Sequence, residues 1–107
     1  MEYKLLEPFE YEGKTVEKCK ITRSQVKVID RIKAKTEAKA VFGEETGDAF
    51  LVCLINRLCD FGVKIPSLDL AEKLSAEDLD NIAMKIMGID EDFLQYLASS
   101  SEDSQKS

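Results

Sequence analysis

The chain has 107 residues and a mass of 12.0 kDa, which is the length of one domain and enough to bury a single core without disulfides or metals. Hydrophobic residues make up 44% and charged residues 34%, so the chain is too apolar to be wholly disordered. The net charge of -6 disfavours a simple nucleic-acid-binding protein, although positive side chains are concentrated in residues 17–39.

An alternating pattern near the start predicts a β-hairpin over residues 3–21. The segment TVEKCKI (15–21) has the two-residue period of a strand, with alternate side chains on opposite faces. Residues 3–11 can form the partner strand, and residues 12–14 the reversal. Pro8 has no amide to donate, so it belongs on a free edge or at a bulge. Because two strands alone are only marginally stable, the hairpin must pack on apolar helices.

A capping-box pattern predicts that the first helix begins at Thr22 and extends to about residue 41. Thr22 and Gln25 have the Ser/Thr-x-x-Glu/Gln spacing in which both side chains satisfy free amide groups. The helix should bury a narrow apolar stripe of Val26, Val28, Ile29 and Ile32. Four cations recur at every fourth residue and should face solvent, where an acidic partner could contact them: Lys27, Arg31, Lys35 and Lys39.

The most apolar part of the sequence predicts a central helix over residues 47–61. A glycine-containing loop precedes it, Thr46 or Asp48 can cap its start, and Gly62 can cap its end. Its apolar run is far shorter than the ~20 residues of a membrane span, so we expect no membrane partner. Since the hairpin and a few short helices should not cover all of this helix, part of its surface is expected to meet another subunit or a client.

Two further helices are predicted, over residues 68–74 and 75–87. Pro66 suits the start of the first. Ser75 and Asp78 suit the start of the second, which carries a regular apolar stripe.

The chain is therefore predicted to be one α+β domain over residues 1–98, mainly helical, followed by a disordered tail at 99–107. The segment DEDFLQYL (90–97) could add one more turn or short helix. The odd number of cysteines and the lack of a signal segment fit a reducing cytosol, where Cys19, Cys53 and Cys59 should be small buried side chains.

No pattern in the sequence indicates catalysis. Histidine is absent, which removes the commonest general base and zinc ligand, and the acidic clusters lack the spacing of a calcium loop. No phosphate-binding loop or nucleophile motif occurs. We therefore expect a protein that is not an enzyme and needs no cofactor or metal.

Two blocks of sequence, in this order, resemble a family of phage tail assembly chaperones from Mu-like and related contractile-tailed phages and prophages. The first block has the pattern L-x-x-P-F-x-Y-x-G-K-T-V, formed by Leu5, Pro8, Phe9, Tyr11, Gly13, Lys14, Thr15 and Val16. The second spans residues 65–86 and has a Leu-Ser-x-x-Asp-Leu helix start, formed by Leu74, Ser75, Asp78 and Leu79. The resemblance covers about residues 3–94.

The resemblance implies a noncatalytic chaperone that binds the tape measure protein and keeps it soluble in the bacterial host cytoplasm, without remaining in the mature virion. A helical client would be held in an apolar groove. Candidate contacts with the client or with other subunits are Phe50, Leu54, Leu58, Phe61, Phe9 and Tyr11, for each of which a core role stays open. A homo-oligomer and a longer form made by ribosomal frameshifting also stay open.

The alternative is a small phage regulatory or nucleic-acid-associated protein that would use the cations of the first helix. The acidic chain and the lack of interleaved aromatic residues argue against it, so we expect no nucleic-acid partner.

Overall fold

The computed structural model of the chain describes residues 1–22 and 25–87, and it confirms the predicted α+β fold. A three-stranded antiparallel sheet in the order β1-β2-β3 packs against helices. The elements are β1 (Glu2–Tyr11), β2 (Lys14–Ile21), α1 (Val28–Phe42), α2 (Gly47–Leu58), β3 (Cys59–Asp60), α3 (Ser67–Lys73) and α4 (Ala76–Met87). The predicted turn or helix at residues 90–97, the end of the domain at residue 98 and the tail at 99–107 lie outside the described residues.

The N-terminal hairpin is present, with a reversal of two residues rather than three. Tyr11 lies opposite Lys14, so only Glu12 and Gly13 form the turn. Both have positive φ angles, 49° for Glu12 and 80° for Gly13. This is the backbone of a tight hairpin turn whose twist matches that of the flanking strands.

The pairing of β1 with β2 is irregular around Pro8, as predicted for a proline in a strand. The register shifts between Lys4 and Phe9, and β1 forms an edge of the sheet. The strict alternation predicted for β2 is wrong, because Val16 and Cys19 are both buried although they are three residues apart. Val16 pairs with Phe9 and Cys19 pairs with Tyr3, and the register shift lies between these two pairs. The buried side chains at the two ends of β2 therefore do not belong to one continuous alternation.

Two predicted helix boundaries are wrong because of a third strand, β3: the end of the central helix and the start of the first helix. Helix α2 ends at Leu58 instead of residue 61, and β3 pairs with the end of β2. The Leu58 carbonyl accepts hydrogen bonds from the Thr22 amide at 3.0 Å and from the Thr22 hydroxyl at 2.8 Å. The predicted capping box at Thr22 is therefore wrong, since Thr22 continues the sheet and its hydroxyl is used there.

Helix α1 begins six residues later than predicted, at Val28. The Lys27 amide donates to the Asp30 carboxylate at 2.9 Å, which satisfies a free donor at the helix start. The predicted buried stripe is also wrong: Val28, Ile29 and Ile32 are 69%, 49% and 54% exposed. The buried side of α1 instead consists of Asp30, Ala34 and Ala38, whose small alanine side chains permit close packing.

Helix α2 is the centre of the core, as its apolar sequence predicts, and it packs against α1, α3 and α4. Its buried residues are Phe50, Leu51, Val52, Cys53, Leu54, Ile55 and Leu58. The expectation that the chain could not cover this helix is wrong, because the sheet and the other helices enclose these side chains. Helices α3 and α4 lie within one residue of their predicted bounds.

Candidate binding groove

Four of the six predicted client contacts lie in the core and not on an exposed surface. Phe50, Leu54, Leu58 and Phe61 are 3%, 1%, 0% and 6% exposed. Phe50, Leu54 and Leu58 are enclosed because α1, α3 and α4 all pack on α2, and Phe61 is buried just after β3. A partner could reach them only if the core opened.

The two predicted contacts from the hairpin are half-buried, and both contribute to packing within the chain. Phe9 packs against the edge of the core. The Tyr11 hydroxyl donates to the Asp69 carboxylate at 2.7 Å, which joins the hairpin to α3. This hydrogen bond, together with burial and the nearby charge of Asp69, raises the pKa of Tyr11 to about 12.

The predicted cations do not form one continuous line on the helix. Lys27 precedes α1, while Arg31 and Lys39 are exposed on it. Lys35 is half-buried, and its Nζ atom lies 6.0 Å from the centroid of the Phe50 ring. That cation–π contact adds a packing role to the charge of this lysine.

An open apolar depression of about 280 Å³, which we call the apolar groove, lies where α1 ends and α2, α3 and α4 meet. Three of its lining side chains are buried, those of Val52, Leu74 and Leu79, and two, those of Phe42 and Ala49, are half-buried. The remaining lining residues are Glu44, Asp48, Ala71 and Ala76, all of them exposed. An apolar depression with polar groups at its edge is the usual form of a binding site for an apolar side chain.

The edge of the apolar groove is negatively charged. Glu44 and Asp48 line it directly. Burial and the nearby charge of Asp48 raise the pKa of Asp80 above its ordinary value, so a further carboxylate lies near Asp48. A ligand with apolar side chains flanked by lysine or arginine would complement this edge.

One side of the apolar groove is held in place by Asp78, which is fully buried. Its carboxylate accepts hydrogen bonds from the Tyr3 hydroxyl at 2.7 Å, the Leu6 amide at 2.8 Å and the Glu7 amide at 3.1 Å. The Ser75 hydroxyl also donates to it at 3.0 Å, and the Asp78 amide donates back to Ser75. The predicted cap of α4 is thus confirmed, and it also fixes β1 against α4.

Burial raises the pKa of Asp78, but the hydrogen bonds from Leu6, Tyr3, Glu7 and Ser75 outweigh that effect and hold the pKa below its ordinary value. The carboxylate is therefore kept in its charged form by its donors, and its function is structural.

A second polar cluster, partly buried, joins α1, α2 and α3. Buried Ser67 donates to the Glu37 carboxylate at 2.7 Å, and the Asn56 amide donates to Ser67 at 3.0 Å. The Arg57 guanidinium donates to fully buried Asp30 at 2.9 Å. These bonds fix the angles at which α1 and α3 pack on α2, and so fix the shape of the apolar groove.

The apolar groove itself was not predicted from the sequence. Leu74 and Leu79 belong to predicted apolar stripes, but their meeting with Phe42 and Val52 depends on how four segments pack. Among the described residues, no group of cysteine and acidic side chains could hold a metal ion. None of the helices in the described part of the chain is long and apolar enough to cross a membrane.

Comparison with known proteins found no family model, no curated protein and no solved structure that matches this chain.

Proposed function

We propose that the protein is a phage or prophage tail assembly chaperone that binds a helical segment of the tape measure protein and keeps it soluble in the bacterial host cytoplasm. The observation that carries the proposal is the apolar groove, an open depression lined by the buried side chains of Val52, Leu74 and Leu79 and by exposed Ala71 and Ala76. An amphipathic client helix would insert apolar side chains there, as in other helix-in-groove complexes. The chaperone would be released before the virion is mature.

The two sequence blocks that resemble tail assembly chaperones support this proposal because they meet in the fold. Asp78 of the second block binds the β1 backbone at Leu6 and Glu7, which lie within the first block. Leu74 and Leu79 of the second block line the apolar groove. Two residues of the second block therefore line the proposed client site, and the backbone within the first block supports it through Asp78.

The test is co-expression of the chain with a tape measure protein from a contractile-tailed phage or prophage of the same host, followed by measurement of how much tape measure protein stays soluble. Ala71→Arg places a long cation at the exposed edge of the apolar groove, where it would block the entry of a client helix. We expect most of the soluble tape measure protein to be lost. The matched control is Ala40→Arg, an exposed alanine of α1 outside the groove, which should retain wild-type solubility.

Two results would contradict the proposal. One is a wild-type chain that leaves the tape measure protein as insoluble as it is without a chaperone. The other is an Ala71→Arg variant that is folded by circular dichroism and still keeps the client soluble.

The alternative function, a small regulatory protein that associates with nucleic acid, is favoured only by the exposed cations of α1, which include Arg31, Lys33 and Lys39. Filter binding to duplex DNA at moderate salt tests it. Tight binding that Arg31→Glu abolishes would support this alternative over the chaperone.

A further inference from the structure

Helix α1 presents an exposed apolar surface, the α1 patch, formed by Val28, Ile29 and Ile32. Residues three and four positions apart are neighbours on a helix, so Ile32 lies beside both Val28 and Ile29 and the three side chains form one cluster. Clustered exposed aliphatic side chains mark an interaction surface more often than single ones do. The described residues leave the α1 patch open to solvent.

The exposed side of α1 around this patch is positively charged. Exposed Arg31 and half-buried Lys35 lie along one side of it, and exposed Lys33 and Lys39 extend the charge around it. Both acids of α1 are used elsewhere, since Asp30 is buried beside Arg57 and Glu37 accepts the Ser67 hydroxyl. A segment that covers the α1 patch should therefore combine apolar side chains with carboxylates.

The described chain ends beside this surface. Ile86 and Met87, at the end of α4, line the same depression as Val26 and Arg31. Residues 88–107, which follow, contain five carboxylates and one lysine. The first carboxylates and the apolar residues after them are Asp90, Glu91, Asp92, Phe93, Leu94, Tyr96 and Leu97.

The length of the segment permits contact within one chain, because Met87 and Arg31 line the same depression. An extended residue spans at most about 3.6 Å, so Asp90 can lie up to roughly 11 Å from Met87. The stretch of α1 from Arg31 to Lys39 is about 12 Å long at 1.5 Å per residue. A segment of this length acts at a high effective concentration on a surface beside its own attachment point.

We propose that residues 89–97 dock on the α1 patch of their own chain, with the carboxylates at 90–92 beside Arg31 and Lys35 and the apolar residues at 93–97 over Val28, Ile29 and Ile32. Pairing of the α1 patch with the α1 patch of a second copy is less favourable, because two cationic helices repel each other. This interaction goes beyond the proposed function and uses no residue of the apolar groove.

A single tryptophan provides the first test, since the natural chain has none. In full-length Tyr96→Trp, docking should shift the emission maximum to the blue of the urea-denatured chain, independently of protein concentration. Adding Ile29→Asp and Ile32→Asp should move the maximum back toward the denatured value. Adding Leu68→Asp, a change at an equally exposed leucine of α3, should leave it in place.

Emission of the parent variant that equals that of the denatured chain, or that is unchanged by the two α1 substitutions, would overturn the proposal. A blue shift that disappears on dilution would assign the contact to a second copy instead, and would also overturn it.

Zero-length carbodiimide crosslinking of the full chain is the second test. We expect amide links between Lys35 or Lys39 and the carboxylates at 90–92 in species of 12.0 kDa, and their loss in Ile29→Asp/Ile32→Asp. Links found only in species of twice that mass, or no links at all, would overturn the proposal. The α1 variants should still keep the tape measure protein soluble, so failure here is distinguishable from failure of the proposed function.

Discussion

Two fully buried carboxylates, Asp78 and Asp30, connect parts of the chain that are distant in sequence. An isolated buried charge is very costly, so each must be compensated by donors or a counter-charge. Asp78 has four donors from β1 and from the start of α4, and Asp30 has the Arg57 guanidinium and the Lys27 amide. The stability of the fold should therefore be sensitive to these two positions.

Replacing Asp78 with Asn should lower the free energy of unfolding by about 2 to 4 kcal/mol. Both carboxylate oxygens accept hydrogen bonds, and the NH2 group of Asn would replace one of these acceptors with a donor. Urea denaturation at neutral pH measures this. Asp80→Asn on the same helix is the control. Burial and the nearby charge of Asp48 raise the pKa of the Asp80 carboxyl, so neutralising Asp80 should cost little stability or should stabilise the fold. Equal losses in the two variants would contradict this assignment.

The pKa of Asp78 also predicts how stability depends on pH. Since the pKa is lower in the folded chain than in the unfolded chain, the charged carboxylate contributes stability above its ordinary pKa of 3.8. That contribution is lost as the pH falls through the folded value. Wild-type and Asp78→Asn chains should therefore differ most at neutral pH and converge in acid, as measured by urea denaturation at several pH values.

Replacing Arg57 with Ala should destabilise the fold by about 2 to 3 kcal/mol, because it removes the hydrogen bond that the Arg57 guanidinium donates to the buried, charged Asp30 carboxylate at 2.9 Å. The control is Arg31→Ala, at an exposed arginine of α1, where we expect a change within about 0.5 kcal/mol. The measurement is again urea denaturation. A loss for Arg57→Ala no larger than that of the control would mean that the ion pair contributes little.

At the scale of elements, tertiary pairing decides where the helices begin and end. The Leu58 carbonyl accepts two hydrogen bonds from Thr22, which ends α2 and delays the start of α1 until Val28. The hairpin turn, in contrast, is a local feature, because its two residues alone set its conformation. Glu12 has the positive φ angle that asparagine and glycine tolerate best.

Replacing Glu12 with Asn should therefore stabilise the chain by about 0.5 to 1 kcal/mol, since Asn-Gly is the preferred pair for a two-residue hairpin turn. Thermal unfolding followed by circular dichroism measures the effect. Glu10→Asn, at an exposed strand position with an ordinary backbone conformation, should give no gain. Equal stabilisation of both variants would point to the lost negative charge as the cause.

At the scale of the whole molecule, the core encloses all three thiols. Burial, together with the nearby charge of Glu37, raises the pKa of Cys53 to about 11. A hydrogen bond between the other two thiols lowers the pKa of Cys19 and raises that of Cys59. The prediction of small buried cysteines is confirmed for each.

The native chain should consequently react slowly with a thiol reagent at neutral pH, because the reactive thiolate is both buried and, for Cys53 and Cys59, disfavoured. Labelling with dithionitrobenzoate should approach three thiols only in denaturant. Fast reaction of the native chain at any thiol would mean that the core opens readily. That result would make client contact through Phe50 or Leu54 physically accessible.

Much of the fold could be predicted from patterns within single segments. The hairpin and its glycine-containing turn, the apolar α2 and the Ser75–Asp78 cap are all local signals, because each depends on neighbours along the chain. The strict alternation of β2 was predicted wrongly, because the register of its partner strand shifts. The stripe of Val28, Ile29 and Ile32 misled the prediction for α1. Helical periodicity identifies an apolar side, but it does not say which side the core will use.

The candidate site could be predicted only in part. Leu74 and Leu79 stand out in the sequence, whereas Phe42 and Val52 join them only through packing of α1 and α2. The pairing of β3 with β2 could not be predicted either, because a strand of two residues has no recognisable pattern in the sequence.

Residue order and type were thus sufficient for the class of the fold, for the hairpin and for the apolar nature of α2, because local hydrogen bonding and hydrophobic periodicity determine those features. Packing was needed for the burial of Phe50 and Leu54, for the exposure of the α1 patch and for the apolar groove. These features depend on contacts between segments that are distant in the sequence. The free energy of such a contact is determined by both segments together, so it cannot be predicted from the pattern of either one.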